Sequence, residues 1–168
     1  MKRLTSTSII LSALFLGCIF GANWLLNKFG MIPVGFGLEA TAGTYLAGFS
    51  FGLRDAVQDV SGRVWVIALI AIGALLSAFV DPTFALASGV AFLCSELADF
   101  AVYTPLRERA WVGAVVLSNI IGAIIDSALF LWIAFGSIGA IYGQLLGKVW
   151  MVAPAVVVVG IVRRRRTA

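Results

Sequence analysis

AFLCSELADFAVYTPLRER, residues Ala91–Arg109, begins as an apolar helix and then admits two acids, Glu96 and Asp99. They stand three residues apart, so they share one helix face. Thr104–Pro105 interrupts the pattern, and the cluster Arg107–Glu108–Arg109 follows. Nearly everything around the stretch is apolar. A carboxylate near the centre of a bilayer costs about 2.5–3.5 kcal/mol on insertion scales, so two of them need a reason. Either they pair with a neighbouring helix and hold a bundle together, or they belong to a site for a polar solute.

The composition around this stretch decides the solvent. Of 168 residues, 61% are hydrophobic and 12% charged, and the mean hydropathy is +1.05. A soluble domain is usually about 45–50% apolar, with about a quarter of its residues charged. The chain therefore reads as an all-α membrane protein, one transmembrane domain over residues 1–168 set in a lipid bilayer. The net charge of +4 does not point to nucleic acid, because the basic residues sit at the edges of apolar runs. Cys18 and Cys94 lie inside such runs and read as small packing residues. Histidine is absent, which removes the commonest metal ligand and the commonest general base. No cofactor, metal or catalytic residue is expected. Lys2 and Arg3 precede an uncharged run from Leu4 to Asn27. That run exceeds the ~7–15 apolar residues of a signal peptide, so it is expected to be a retained first helix.

A span needs about 20 mostly apolar residues. Six segments qualify: Thr5–Leu26, Leu38–Val60, Val64–Val80, Thr83–Tyr103, Ala110–Phe135 and Gly139–Val162. The expected fold is a six-transmembrane-helix bundle with short connections, the first being a loop at Gly30–Gly37. With the N-terminus inside, Lys2, Arg3, Arg54, Arg63, Arg107, Arg109 and Arg163–Arg166 gather on the inner edge, against Lys28 outside. That asymmetry places both termini in the cytoplasm and the protein in the cell inner membrane as a multi-pass chain. Glycines at four-residue spacing, Gly17/Gly21, Gly48/Gly52 and Gly139/Gly143/Gly147, read as seams where helix backbones approach closely. Those seams suit packing within one chain, and a homo-oligomer stays open.

The polar residues fall on stripes. Asn119, Gly122 and Asp126 share one face, Gln144 and Lys148 another, and Thr41, Thr44, Gly48, Asp55 and Asp59 a third. Such stripes are expected to face the bundle interior. Counting depth at about 1.5 Å per residue brings Lys148, Asn119 and Glu96 towards the midplane. Asp126 and Gln144 come out nearer the outer side, and Arg54, Asp55 and Asp99 nearer the inner side. Lys148 is too deep to reach water with a stem of roughly 6 Å, so an acidic partner is expected, Glu96 first and Asp126 as the alternative. Arg54–Asp55 and Asp59–Arg63 also read as structural charge pairs near the inner interface. The candidate solute-binding set is Glu96, Asp99, Asn119, Asp126, Gln144, Lys148, Arg54 and Asp55. Phe92, Phe100, Trp132 and Phe135 are candidate aromatic faces, or ordinary packing residues.

Three segments in order carry a resemblance: ATAGTYLAGFSFGLRDAVQDVSGR (Ala40–Arg63), SELAD (Ser95–Asp99) with its basic turn, and SNIIGAIIDSALFLWIAFG (Ser118–Gly136). Together they resemble the VUT family of small membrane proteins, over about Glu39 to Gly136. The resemblance implies a transporter that takes up queuosine precursors, 7-cyano-7-deazaguanine and 7-aminomethyl-7-deazaguanine. A guanine-like edge offers adjacent N–H donors to one carboxylate, and an amide such as Asn119 or Gln144 matches the neighbouring carbonyl. The chain contains no G-x-x-x-x-G-K-[ST] phosphate loop, so it is not expected to hydrolyse ATP itself. The alternative is the substrate-binding subunit of a multi-component vitamin or nucleobase importer. An intramembrane enzyme lacks support in the absence of histidine and of a dense acidic motif. A purely structural protein would not need polar stripes on several helices.

Overall fold

The structure, a computed structural model, describes residues 5–106, 111–151 and 154. The described residues form six helices and one short hairpin: α1 (Ser6–Phe29), β1 (Met31–Gly35), β2 (Leu38–Thr41), α2 (Thr44–Ser61), α3 (Arg63–Ser77), α4 (Pro82–Leu106), α5 (Trp111–Phe135) and α6 (Ile141–Trp150). Lys2, Arg3, Arg107, Arg109, Arg163–Arg166 and the expected end of the last span at Val162 lie outside the described residues, as does the side chain of Phe100.

Local chemistry sets the helix ends. The Thr5 hydroxyl caps α1 by accepting from the Ser8 amide at 3.2 Å. Gly30, at φ 63°, ends that helix in a conformation that side chains resist. Lys28 lies 4.8 Å from the Trp24 ring centre and 5.5 Å from that of Phe29, an arrangement suited to an interface anchor. At the start of α4, the Asp81 carboxylate accepts from the amides of Thr83 at 2.8 Å and Phe84 at 3.0 Å, with Pro82 in the first helical position.

The first connection differs from expectation. In place of a loop at Gly30–Gly37 and a helix from Leu38, the chain makes an antiparallel hairpin that pairs Met31 with Thr41, Ile32 with Ala40 and Pro33 with Glu39. Helix α2 starts only at Thr44. The turn residues Phe36 (φ 54°) and Gly37 (φ 73°) both have positive φ, as a two-residue hairpin loop of the tighter kind requires. The sequence Val34-Gly-Phe-Gly-Leu38 supplies that turn, while Pro33 and the paired glycines disfavour a helix.

Helix α6 packs on the hairpin, α2 and α5, while α4 packs chiefly on α5. Glycine makes the α6 seat. A methyl on Gly143 would overlap the Glu39 carbonyl, and one on Gly147 would come within 2.6 Å of Thr44 Cγ2. A methyl on Gly48 would lie 2.8 Å from the Lys148 Cα. These positions are close-approach seams; Gly17, by contrast, faces open space.

The apolar core joins α1, α2 and α3 through Leu11, Phe15, Leu53, Val57, Val66 and Leu69. The rest of the burial pattern is inverted relative to a water-soluble protein. Arg54, Glu96, Asp126, Gln144 and Lys148 are buried, whereas Phe79, Val64 and Leu75 are 90%, 83% and 69% exposed. Apolar side chains outside and ionised ones inside suit a lipid surround. By length and composition, Ser6–Phe29 and Leu117–Phe135 are long and apolar enough to cross a membrane.

Candidate functional site

Residues from all six helices and the hairpin surround a cavity with about 50 Å³ open to water centres. A single water needs about 10–15 Å³ on this measure, so several fit. The polar lining is Asn23, Thr41, Ser50, Ser88, Asp126 and Gln144; Phe92 and Phe130 supply aromatic faces.

Towards the hairpin the lining is a closed hydrogen-bond ring. The Thr44 hydroxyl donates to Gln144 Oε1 at 2.7 Å, and Gln144 Nε2 donates to Thr41 Oγ1 at 2.8 Å. Since the single Thr44 proton is committed, Thr41 donates to Thr44 across 2.9 Å. The ring ties β2, α2 and α6 together at the point where Gly143 and Gly147 let the backbones meet. On the α1 side, Asn23 Nδ2 donates to the Ile19 carbonyl and to Ser77 Oγ, while its Oδ1 accepts from Ser88 at 2.9 Å. Both amide ends are thus held, and the side chain cannot rotate without breaking contacts to α3 and α4.

Lys148 has an acidic partner, but not the preferred one. Its Nζ lies 2.6 Å from Asp126 Oδ2, 2.6 Å from Ser127 Oγ and 3.5 Å from the Ala123 carbonyl, all on α5. The expected Lys148–Glu96 pair is therefore corrected to Lys148–Asp126. The cause is helix adjacency: α6 packs on α5, whereas Glu96 belongs to α4. Depth counting favoured Glu96, and helix adjacency overrides it.

Glu96 pairs instead with Arg54, at 2.9 Å from Nη1, and Arg54 also holds Asp55 through Nε at 3.0 Å and Nη2 at 2.8 Å. Arg54 is 3% exposed while the Asp55 side chain is 48% exposed, so the guanidinium is a buried bridge between the interior and the protein surface. Asp99 lies within electrostatic range of Arg54. Its Oδ1 is buried with no hydrogen-bond partner among the described residues. Phe51 stands between the two ion pairs, with its ring centre 5.5 Å from Lys148 Nζ and 5.4 Å from Arg54 Cζ. It stacks on Phe92, with centres 5.3 Å apart and planes 14° from parallel.

The expected single column of polar residues is thus two clusters. Of the candidate set, Asp126 and Gln144 line the cavity, and Lys148 sits behind Asp126. Glu96, Asp99, Arg54 and Asp55 form the second cluster. Asn119 is partly buried on α5 and is not among the described residues lining the cavity. Phe92 faces the cavity, whereas Trp132 and Phe135 point outward, 62% and 44% exposed. Asn23, Ser50 and Ser88 escaped the sequence reading. The signal for Asn23 was an amide deep in an otherwise uncharged apolar run, and serines in apolar helices carry little signal at all. Among the described residues, no three histidine, cysteine or acidic side chains gather where they could hold a metal ion.

A polar cavity inside a lipid-facing bundle belongs with solute handling, and comparison with known proteins supplies the class. The sequence profile of Vut_1, described as "Putative vitamin uptake transporter", matches residues 2–162. The chain belongs to the Vut_1 family. No curated protein and no solved structure matches it. Vut_1 membership and the two apolar helices make this a membrane protein of a transporter family, with a small molecule as its cargo.

Proposed function

We propose that the chain imports a queuosine precursor, 7-cyano-7-deazaguanine or 7-aminomethyl-7-deazaguanine, across the cytoplasmic membrane. The observation that carries this reading is the cavity: one carboxylate and two amides on its wall, with Phe92 and Phe130 beside them. A deazaguanine offers adjacent N–H donors to Asp126, a carbonyl to the Gln144 amide, and a flat ring to Phe92. Hydrogen bonds to a charged group contribute about 1.5–3 kcal/mol each, enough to orient a small solute. The cavity has room for a few waters and not for a bicyclic ring, so loading requires helices to part. The Thr41–Thr44–Gln144 ring closes the side towards the hairpin. On this reading the Arg54–Glu96 contact, which joins α2 to α4, is the second closure. In this reading the six helices are six spans, both termini are cytoplasmic, and the two closures open alternately.

Complementation tests it. A cell unable to make queuosine precursors, supplied with limiting 7-cyano-7-deazaguanine, should regain queuosine in its tRNA when it expresses this chain. No gain would refute the substrate. Uptake by vesicles holding only the purified chain separates a self-sufficient carrier from a subunit of a larger importer.

A further inference from the structure

Among the described residues lining the cavity, Asp126 is the only one with a formal charge. Its countercharge comes from Lys148, which does not line the cavity and is buried behind it. An ammonium has three N–H donors. All three find acceptors inside the protein: Asp126, Ser127 and the Ala123 carbonyl. Lys148 therefore offers a solute nothing directly, and its effect is to cancel the charge of Asp126. A second buried cation, Arg54, lies on the Phe51 ring as Lys148 does and is itself paired with Glu96 and Asp55.

We propose that the cavity selects neutral solutes over cationic ones, and that Lys148 is the specificity-determining residue that sets this preference. The inference rests on the transport reading above and narrows its substrate. A cationic solute entering the cavity meets a carboxylate already neutralised and an ammonium behind it. To gain the carboxylate it must displace Lys148. Among the described residues, the elements packed on α6 offer no second buried acid there: Glu39 on β2 and Asp59 on α2 are exposed, and Asp55 on α2 is held by Arg54. An anionic solute meets Asp126 itself. A neutral solute can donate to Asp126 while the Lys148 contact persists, because an ionised carboxylate has about four acceptor positions.

The two proposed substrates differ in the relevant way. Their ring edges are identical, but the nitrile is neutral and the primary amine is protonated at neutral pH. The experiment measures initial uptake of each labelled compound into vesicles holding the full chain. The wild type should favour 7-cyano-7-deazaguanine by about tenfold or more, since burying an unneutralised charge in a membrane interior is costly. Lys148→Met should move the ratio by about tenfold towards the aminomethyl compound, because Asp126 then stands unneutralised. Lys148→Met with Asp126→Asn should restore the preference for the cyano compound, at a lower rate. Equal rates or an aminomethyl preference in the wild type would overturn the inference, as would an unchanged ratio in Lys148→Met. The wild-type ratio decides the matter even where a variant does not accumulate. Uptake of neither compound would overturn the transport reading, and this inference with it.

Discussion

The two buried ion pairs differ in what surrounds them. Lys148–Asp126 joins α6 to α5, spends every donor of its ammonium on α5, and puts its carboxylate on the cavity wall. Arg54–Glu96 joins α2 to α4, is not among the described lining of that wall, and gathers three acids, Glu96, Asp55 and Asp99, with Arg63 as a second guanidinium in electrostatic range of Glu96. Asp55 accepts its hydrogen bonds, Glu96 pairs with it by charge at 2.9 Å, and the Glu96 Oε2 and Asp99 Oδ1 atoms both lack a hydrogen-bond partner among the described residues. Burial of charge therefore does not by itself mark a solute site. On the proposed reading, a charge on a cavity wall with its countercharge behind it recognises the solute. A charge bridging interior to surface is placed to hold helices together or to let them part.

The largest expected effect tests the first pair. Lys148→Met leaves Asp126 buried without its partner and should cost about 3–5 kcal/mol of stability in detergent. Adding Asp126→Asn should recover much of that loss, because the stranded charge is gone. Strictly additive losses would mean that the pair carries no coupling. Next comes the ring on the hairpin side. Gln144→Leu keeps the volume but leaves the Thr44 hydroxyl proton without its acceptor, with only the Thr41–Thr44 bond of the ring remaining, at about 1–3 kcal/mol, and should abolish uptake. Normal uptake by a folded Gln144→Leu chain would remove the ring from the route. The smallest loss of these three is expected at the second pair. Glu96→Gln keeps shape and leaves Arg54 its bonds to Asp55, so stability should fall by about 1 kcal/mol. Transport should slow while solute binding stays intact; a loss of binding instead would move the solute site to the second cluster.

Three of the six polar residues on the described cavity wall, Thr41, Asp126 and Gln144, were legible in the sequence as members of polar stripes. The stripe Asn119–Gly122–Asp126 and the spacing of Gln144 and Lys148 identified faces that had to turn inward, and Gly143 and Gly147 marked close approach. Which acid met Lys148 was not legible, because pairing depends on which helices are neighbours, and no periodicity encodes that. The hairpin was missed for a different reason. Leu38–Thr41 is as apolar as the helix after it, so composition ran the two together, although Gly35 and Gly37 flanking Phe36 carried the turn signal. That error hid Thr41 as a strand residue on the cavity wall. Asn23 and Ser88 became visible only as contacts between α1 and α4.

The central claim is that solute binds at Asp126 and not at the Arg54–Glu96 cluster. Calorimetric titration of 7-cyano-7-deazaguanine into the purified chain tests it most directly, with wild type, Asp126→Asn and Glu96→Gln compared side by side. Asp126→Asn leaves Lys148 two acceptors, its amide oxygen and Ser127, but no countercharge, so thermal unfolding of the variant is measured first and binding is compared only on folded chain. The account predicts that Asp126→Asn weakens binding about tenfold or more, one charge-assisted hydrogen bond or greater, and that Glu96→Gln changes it less than about threefold. Unchanged binding in Asp126→Asn with lost binding in Glu96→Gln would contradict it.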